Sequence, residues 1–288
     1  MWGFLVRRLM YMVFVVLATT MFVFALGRLT GDPRTVFLDE YATKERWEAW
    51  GKEMGLDKPL AVQYLIWVSK AARGDFGESL RERRPALDVI RVRTPATLEL
   101  AAGALVFVLI IGIPLGVLSA VKRGTVWDYI GRTFALLGQA LPPFWLGIVL
   151  ILIFAVALGW LPTGRRGGVA HYILPSVTLG WLSAAGLLRM VRSSMLSVLD
   201  SDYVKFAKAK GVGSWAVIWK HAFRNAAIAP LTFTALILAG FITGAVVTET
   251  VFAWPGLGRL AVQSVYNNDV PVLTGVVLVI TVMYVGVN

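Results

Sequence analysis

Residues 100–121 read LAAGALVFVLIIGIPLGVLSAV, 22 positions without a formal charge. A helix rises 1.5 Å per residue, so about 20 apolar residues suffice to cross a hydrocarbon core of about 30 Å. Outward from this run lie five more charge-free stretches, Leu9–Gly27, Thr133–Gly164, Gly167–Leu188, Asn225–Thr248 and Val270–Asn288, each long enough or nearly so. Hydrophobic residues are 57% of the chain, charged residues 16%, and mean hydropathy is +0.70, outside the range of ordinary soluble domains. The sequence therefore predicts an all-α integral membrane protein with six transmembrane helices. The third stretch is overlong and holds Pro142-Pro143, which reads as a kink or entry turn in one helix whose freed carbonyls neighbouring helices can satisfy.

The basic residues orient these spans. With the N-terminus in the cytoplasm, Arg7, Arg8, Lys122, Arg123, Arg132, Arg189, Arg192, Lys205, Lys208, Lys210, Lys220 and Arg224 lie inside, against Arg165, Arg166 and Arg259 outside. Such an excess obeys the positive-inside rule; the long segment between Arg28 and Arg93 weighs little in it. The net charge of +11 is thus mostly topology. Basic charge dispersed among membrane spans also excludes a nucleic-acid surface. The absence of cysteine excludes disulfides and cysteine-ligated metal sites. The apolar run after Arg8 exceeds a signal-peptide core, and its small-residue site is faint, so it reads as a retained anchor.

Three regions follow: residues 1–27 as cytoplasmic start and first transmembrane helix, 28–93 as an extracytoplasmic helical insertion, and 94–288 as a core of five further spans. In the insertion, Trp47, Trp50 and Met54 recur at helical spacing within Thr43–Met54, an amphipathic helix ending near Gly55. Pro59–Arg73 reads as a second helix, and Gly74-Asp75-Phe76-Gly77-x-Ser79 as a tight turn. A kinase-like metal site at Asp75-Phe76-Gly77 lacks any nucleotide-binding context. Thr94-Pro95 opens the second span, with Pro95 in its first turn. Glu99 reads as a structural carboxylate near the outer interface, and Gly112-x-Pro114-x-Gly116 either lets helices approach or bends one. A lone His171 without a nucleophile reads as a loop residue rather than a catalyst.

The one long polar interruption of the second half is Asp200–Pro230, with its loop at 200–225, where Asp200, Ser201 or Asp202 can cap a short helix with an apolar stripe of Tyr203, Val204, Phe206 and Ala207. Gly211-Val212-Gly213 stops it, and Ser214 can cap a second helix that turns Val217, Ile218 and Phe223 inward. Two helices at a glycine corner make a protrusion. Tyr203-Val204-x-x-Ala207-x-Ala209-Lys210-Gly211 followed by His221-Ala222-x-Arg224-Asn225 resembles the cytoplasmic coupling loop of ABC importer permeases, in the first-permease branch of the dipeptide/oligopeptide and nickel family. Lys205 and Phe206 depart from the general Glu-Ala-Ala-x-x-x-Gly pattern, and Phe223-Arg224 from its Leu-Pro, as the peptide branch commonly does. Gly74-Asp75-Phe76-Gly77-x-Ser79, Thr94–Leu100, Glu249-Thr250-Val251-Phe252-Ala253-Trp254-Pro255-Gly256-Leu257-Gly258 and Asn268-Asp269-x-Pro271 are similar to the same family, so the resemblance covers nearly the whole chain. Family members finish the last helix with a short tail bearing Asp-Pro-Arg, so the resemblance leaves truncation at Asn288 as an expectation.

The resemblance implies an ATP-driven importer subunit working by alternating access, in a prokaryotic inner membrane. It implies a second homologous permease, two ATP-binding subunits that hold the ATP and Mg, and an extracytoplasmic substrate-binding protein. This chain itself would bind no cofactor and no metal; no phosphate-binding Gly-x-x-x-x-Gly-Lys-[Ser/Thr] occurs in it. The coupling residues implied are Asp202, Tyr203, Ala207, Ala209, Lys210, Gly211, His221, Arg224 and Asn225. Thr243 and Gly244, on a small-residue face of the fifth span, are candidates for the pathway. Glu249, Trp254, Pro255, Gly256 and Gly258 form a stiff turn suited to an outer gate or to receiving the binding protein, with Glu249 as its anchor. Peptides are the expected cargo, and nickel chelates, glutathione or oligosaccharides the alternatives. An intramembrane hydrolase lacks converging acid, base or nucleophile groups, and a self-contained secondary transporter would show an internal repeat or mid-membrane ionisable residues.

Overall fold

A computed structural model describes residues 2–29, 34, 43–53 and 55–287. Its helices are α1 (Trp2–Leu29), α2 (Lys44–Glu53), α3 (Leu60–Ala72), α4 (Ala86–Val121), α5 (Val126–Ala140) and α6 (Pro143–Leu150), which runs on as a π-helix, Ile151–Ala157. After α7 (Ala170–Leu199) and α8 (Asp202–Ala209) comes α9 (Ser214–Ala226), mostly a π-helix over Val217–Phe223. The remainder is α10 (Ile228–Gly244), α11 (Val246–Val251), α12 (Leu257–Tyr266) and α13 (Val270–Val287).

Among the described residues, four helices are long and apolar enough to cross a membrane alone: residues 6–28 of α1, α4, α7 and α13. Two bent pairs, α5 with α6 and α9 with α10, bring the number to six when each is one span. Of the two expectations at Pro142-Pro143, a kink or an entry turn, the structure has a sharp turn into a new helix: the chain turns 109° between α5 and α6. Residues before prolines are pushed out of the helical region, and Leu141 and Pro142 are both extended, while Pro143 takes the first turn of α6 where its missing N–H is harmless. The second span also differs. It starts at Ala86, eight residues before Thr94, so Pro95 lies inside the helix rather than in its first turn. Ala86 N–H bonds the Gly77 carbonyl at 2.9 Å and Asp88 sits in the first turn, where a carboxylate suits the positive helix end.

The chain divides into two compact units, residues 1–95 with 259–286 and residues 96–258 with 287–288. In the first, α3 packs on α1: the Tyr64 and Thr20 hydroxyls are 2.8 Å apart, and Phe24 meets the rings of Tyr64 and Trp67. Trp47 of α2 lies half-buried under the Arg34 guanidinium; Met54 falls outside the described residues. The Gly74–Ser79 turn is joined to the start of α13, where the Ser79 hydroxyl donates to Asp269 at 2.5 Å and the Leu80 N–H bonds the other carboxylate oxygen. Two motifs 190 residues apart are thereby one structure.

The second unit is built around α7, whose Leu187, Leu188, Val191 and Met195 are buried. Lipid supplies no hydrophobic drive between apolar helices, so close backbone approach through small residues does that work. A Cβ on Gly112 would come within 3.0 Å of Leu187, and one on Gly116 within 2.8 Å of the Leu188 carbonyl and 2.7 Å of Val191. The Gly112-x-Pro114-x-Gly116 patch thus serves close packing within a helix that continues to Val121.

Candidate functional site

The 200–225 loop leaves α7 at Asp200. Ser201 does not cap α8; its hydroxyl turns back to the Val198 carbonyl at 2.5 Å, and exposed Asp202 pairs with Lys205 at 3.0 Å. Helix α8 is barely two turns long, so only Val204 and Ala207 are buried, and Tyr203 and Phe206 point outward at 43% and 62% exposure. Of the expected four-residue apolar stripe, two residues are therefore buried, and the aromatics form an outer surface with Lys210 over the Phe206 ring. Ala209 is exposed as well.

Gly211 ends α8 with φ +79°, its N–H on the Lys208 carbonyl and the Val212 N–H on the Ala207 carbonyl, the paired bonds of a left-handed helix cap. Gly213, not Ser214, precedes α9. One face of α9 stacks Trp215, Trp219 and Phe223 with ring centres 5.5 and 5.2 Å apart, and Trp215 is 75% exposed. Asn225 donates its amide to the His221 carbonyl at 2.9 Å, and Arg224 is exposed beside it. The loop is a two-helix corner offering aromatic and cationic side chains, with α7 packed against both arms.

The 249–258 turn is the opposite case, closed on itself. Glu249 is wholly buried; its Oε1 accepts the Thr97 hydroxyl at 2.6 Å, and that hydroxyl oxygen accepts the Leu257 N–H at 2.8 Å. Trp254 is also wholly buried, donating its indole N–H to the Ala96 carbonyl at 2.8 Å and meeting Tyr172 edge to face. A partner would meet Pro255 and the backbone here, not the indole. Gly256 lies against the Glu249 carboxylate, and a Cβ on Gly258 would sit 2.6 Å from Val246 Cα, so both glycines are required by close approach. Nearby, Glu99 pairs with Arg166 and accepts the Tyr172 hydroxyl at 2.7 Å.

Between these regions lies a cavity of about 470 Å³ lined by Pro143, Phe144, Leu179, Leu182, Ser183, Gly240, Gly244 and Thr248 among others. Gly240 and Gly244 face open space, so this small-residue face leaves room rather than seating a neighbour of this chain. Thr243 is exposed on the same helix.

A further site escaped the sequence reading. Asp128, wholly buried, accepts at Oδ1 from Ser119 Oγ (2.7 Å), Arg132 Nε (3.2 Å) and Arg192 Nε (2.8 Å). At Oδ2 it accepts from Gly124 N–H (3.0 Å), Arg132 Nη2 (2.5 Å) and Arg192 Nη2 (3.1 Å). Its signal was present: Asp128 is the only acid from residue 100 to 199.

Residues 112–288 match the family of binding-protein-dependent transport system inner membrane components, and residues 1–101 match the N-terminal region of such membrane components. The chain is 36% identical, over its whole length and 95% of the relative, to the di/tripeptide transport system permease protein DppB of Pseudomonas aeruginosa (strain UCBPP-PA14). It is 37% identical to the oligopeptide transport system permease protein AppB of Bacillus subtilis (strain 168), covering 99% of this chain and 94% of AppB. Its identity to the glutathione transport system permease protein GsiC of Escherichia coli (strain K12) is 38%, covering 100% and 94%. An inward-facing MetNI methionine ABC transporter structure shares the fold, with a TM-score of 0.54 at 20% identity over 68% of this chain and 90% of that one. The spans, the exposed loop and the full-length likeness agree: this chain belongs to the binding-protein-dependent transport system inner membrane components, as a multi-pass permease subunit of the peptide-type ABC importers and not an enzyme.

Proposed function

We propose that this chain carries short peptides across a prokaryotic inner membrane as one of two homologous permeases, with its N-terminus and 200–225 loop in the cytoplasm. Two ATP-binding subunits holding ATP and Mg grip the loop, and an extracytoplasmic binding protein delivers the cargo. The loop is the observation that carries the reading. Tyr203, Phe206 and Trp215 are large apolar side chains held exposed on a two-helix corner, alongside Lys205, Lys208 and Lys210. Exposed aromatics of this kind support a docking surface, and the basic residues beside them favour the cytoplasmic side. Di/tripeptide, oligopeptide and glutathione, named for the relatives, share the chemistry of short peptides.

Affinity purification of the tagged chain from native membranes is expected to recover a homologous permease and two ATP-binding chains. Mass spectrometry of small molecules co-purifying with the binding protein is expected to find short peptides. A transport-competent homodimer would contradict the pairing, and a metal complex in place of peptide would contradict the cargo.

A further inference from the structure

Resting on the importer reading above, we propose that Asp128 is a positioning residue of transport: its buried carboxylate ties α5 to α7, so that movement of the cytoplasmic loop reaches the wall of the cavity. Asp128, wholly buried, forms an ion pair with Arg192. Desolvation offsets most of the attraction, so such a pair contributes little net stability and is best understood as fixing one arrangement against others. Asp128 fixes four pieces of chain at once: the end of α4 through Ser119, the following turn through Gly124, its own helix through Arg132, and α7 through Arg192. Arg132 is a neighbour one turn along the same helix, whereas Arg192 comes from 64 residues away and also donates to Ser119 at 3.1 Å.

Arg192 sits two turns before the end of α7, which packs against both arms of the loop. Asp128 sits at the beginning of α5, whose far end is the 109° break before Pro143 and Phe144, and those residues line the cavity. The two-pronged contact of one guanidinium with one carboxylate holds direction as well as distance. A displacement of α7 at Arg192 is thus delivered to α5 as a displacement of its first turn.

The chain lacks cysteine, so no thiol of its own competes with introduced ones when it is labelled before assembly. The complete importer is reconstituted in liposomes with spin labels at Val13→Cys on α1, an exposed position apart from the Asp128 contacts, and at Ile148→Cys on α6. Their spacing is read with and without ATP, alongside uptake and ATP hydrolysis. Arg192→Gln is expected to lower uptake about tenfold or more, in the range of ordinary coupling free energies, while hydrolysis continues and the ATP-dependent change in spacing disappears. Arg192→Lys, which keeps charge without the two prongs, falls between. Arg189→Gln, the same charge loss at an exposed position one turn away, keeps uptake within about twofold, as surface substitutions do. Asp128→Asn is expected to act as Arg192→Gln does; should it fail to assemble, Arg192→Gln decides. Persistence of the spacing change in Arg192→Gln overturns the assignment. So does a loss of uptake that only follows the amount of assembled complex. A parent complex with no ATP-dependent change would overturn this assignment and the importer reading together. One that changes with ATP yet takes up no peptide would overturn the peptide reading alone.

Discussion

Glu249→Ala is expected to abolish uptake, and Glu249→Gln to retain a substantial part of it. The carboxylate is wholly buried, receives the Thr97 hydroxyl, and occupies the space against Gly256. Truncation leaves a void and strips the Thr97 hydroxyl of its acceptor; an unsatisfied buried polar group alone costs about 1–3 kcal/mol, and the void adds to it. Glutamine keeps the shape and one acceptor oxygen. Thr97→Val, which keeps the shape but loses the bonds to both Glu249 and the Leu257 N–H, is expected to resemble the alanine variant. Uptake per assembled complex, with thermal unfolding in detergent, checks this. Near-normal uptake in both Glu249 variants would make the residue an ordinary filler of the span.

The second large effect belongs to Gly211. Its φ of +79° is one that side chains rarely adopt, yet a Cβ there would meet nothing within 4 Å. Substitution therefore costs about 1–2 kcal/mol of backbone strain locally and leaves the rest of the chain in place. Gly211→Asp is expected to insert normally and bind its partners' substrate-loaded binding protein, but to lose about tenfold or more of its uptake while ATP hydrolysis continues. Gly211→Asn, which matches aspartate in size and in tolerance of the left-handed conformation but adds no charge, is expected to be milder. Normal uptake with Gly211→Asp would mark the glycine as a surface residue without a part in coupling.

The spans were legible because a charge-free run of 20 residues has few alternatives in water. The corner at Gly211 was legible because few residues end a helix that way. What could not be read were relations among elements. Pro142-Pro143 signals a disturbance without its angle, and the same dipeptide serves a mild kink or the 109° break found. Pro95 misled, since a proline early in an apolar run usually marks a helix start, whereas α4 begins at Ala86 beside Pro85. Tyr203 and Phe206 fit an apolar stripe by spacing; α8 is simply too short to bury four positions, and Val204 and Ala207 take both places. Asp128 was passed over because the partner that ties it to another helix, Arg192, lies 64 residues away, and its spacing to Arg132 alone reads as an ordinary pair along one helix face. Glu249 stood out by position, but its wholly buried state and its bond to Thr97 belong to the folded chain alone.

The notches at Gly112 and Gly116 constrain how this protein can move. Leu187 fills one, and Val191 with the Leu188 backbone fills the other. Two helices meshed in this way have no smooth sliding coordinate; the next seating is a full turn, about 5.4 Å, away. If they stay meshed, α4 and α7 travel as a single stave. The compliance of the second unit then resides in its joints, at Leu141-Pro142 and at Ala227, where the chain already bends by 109° and 59°.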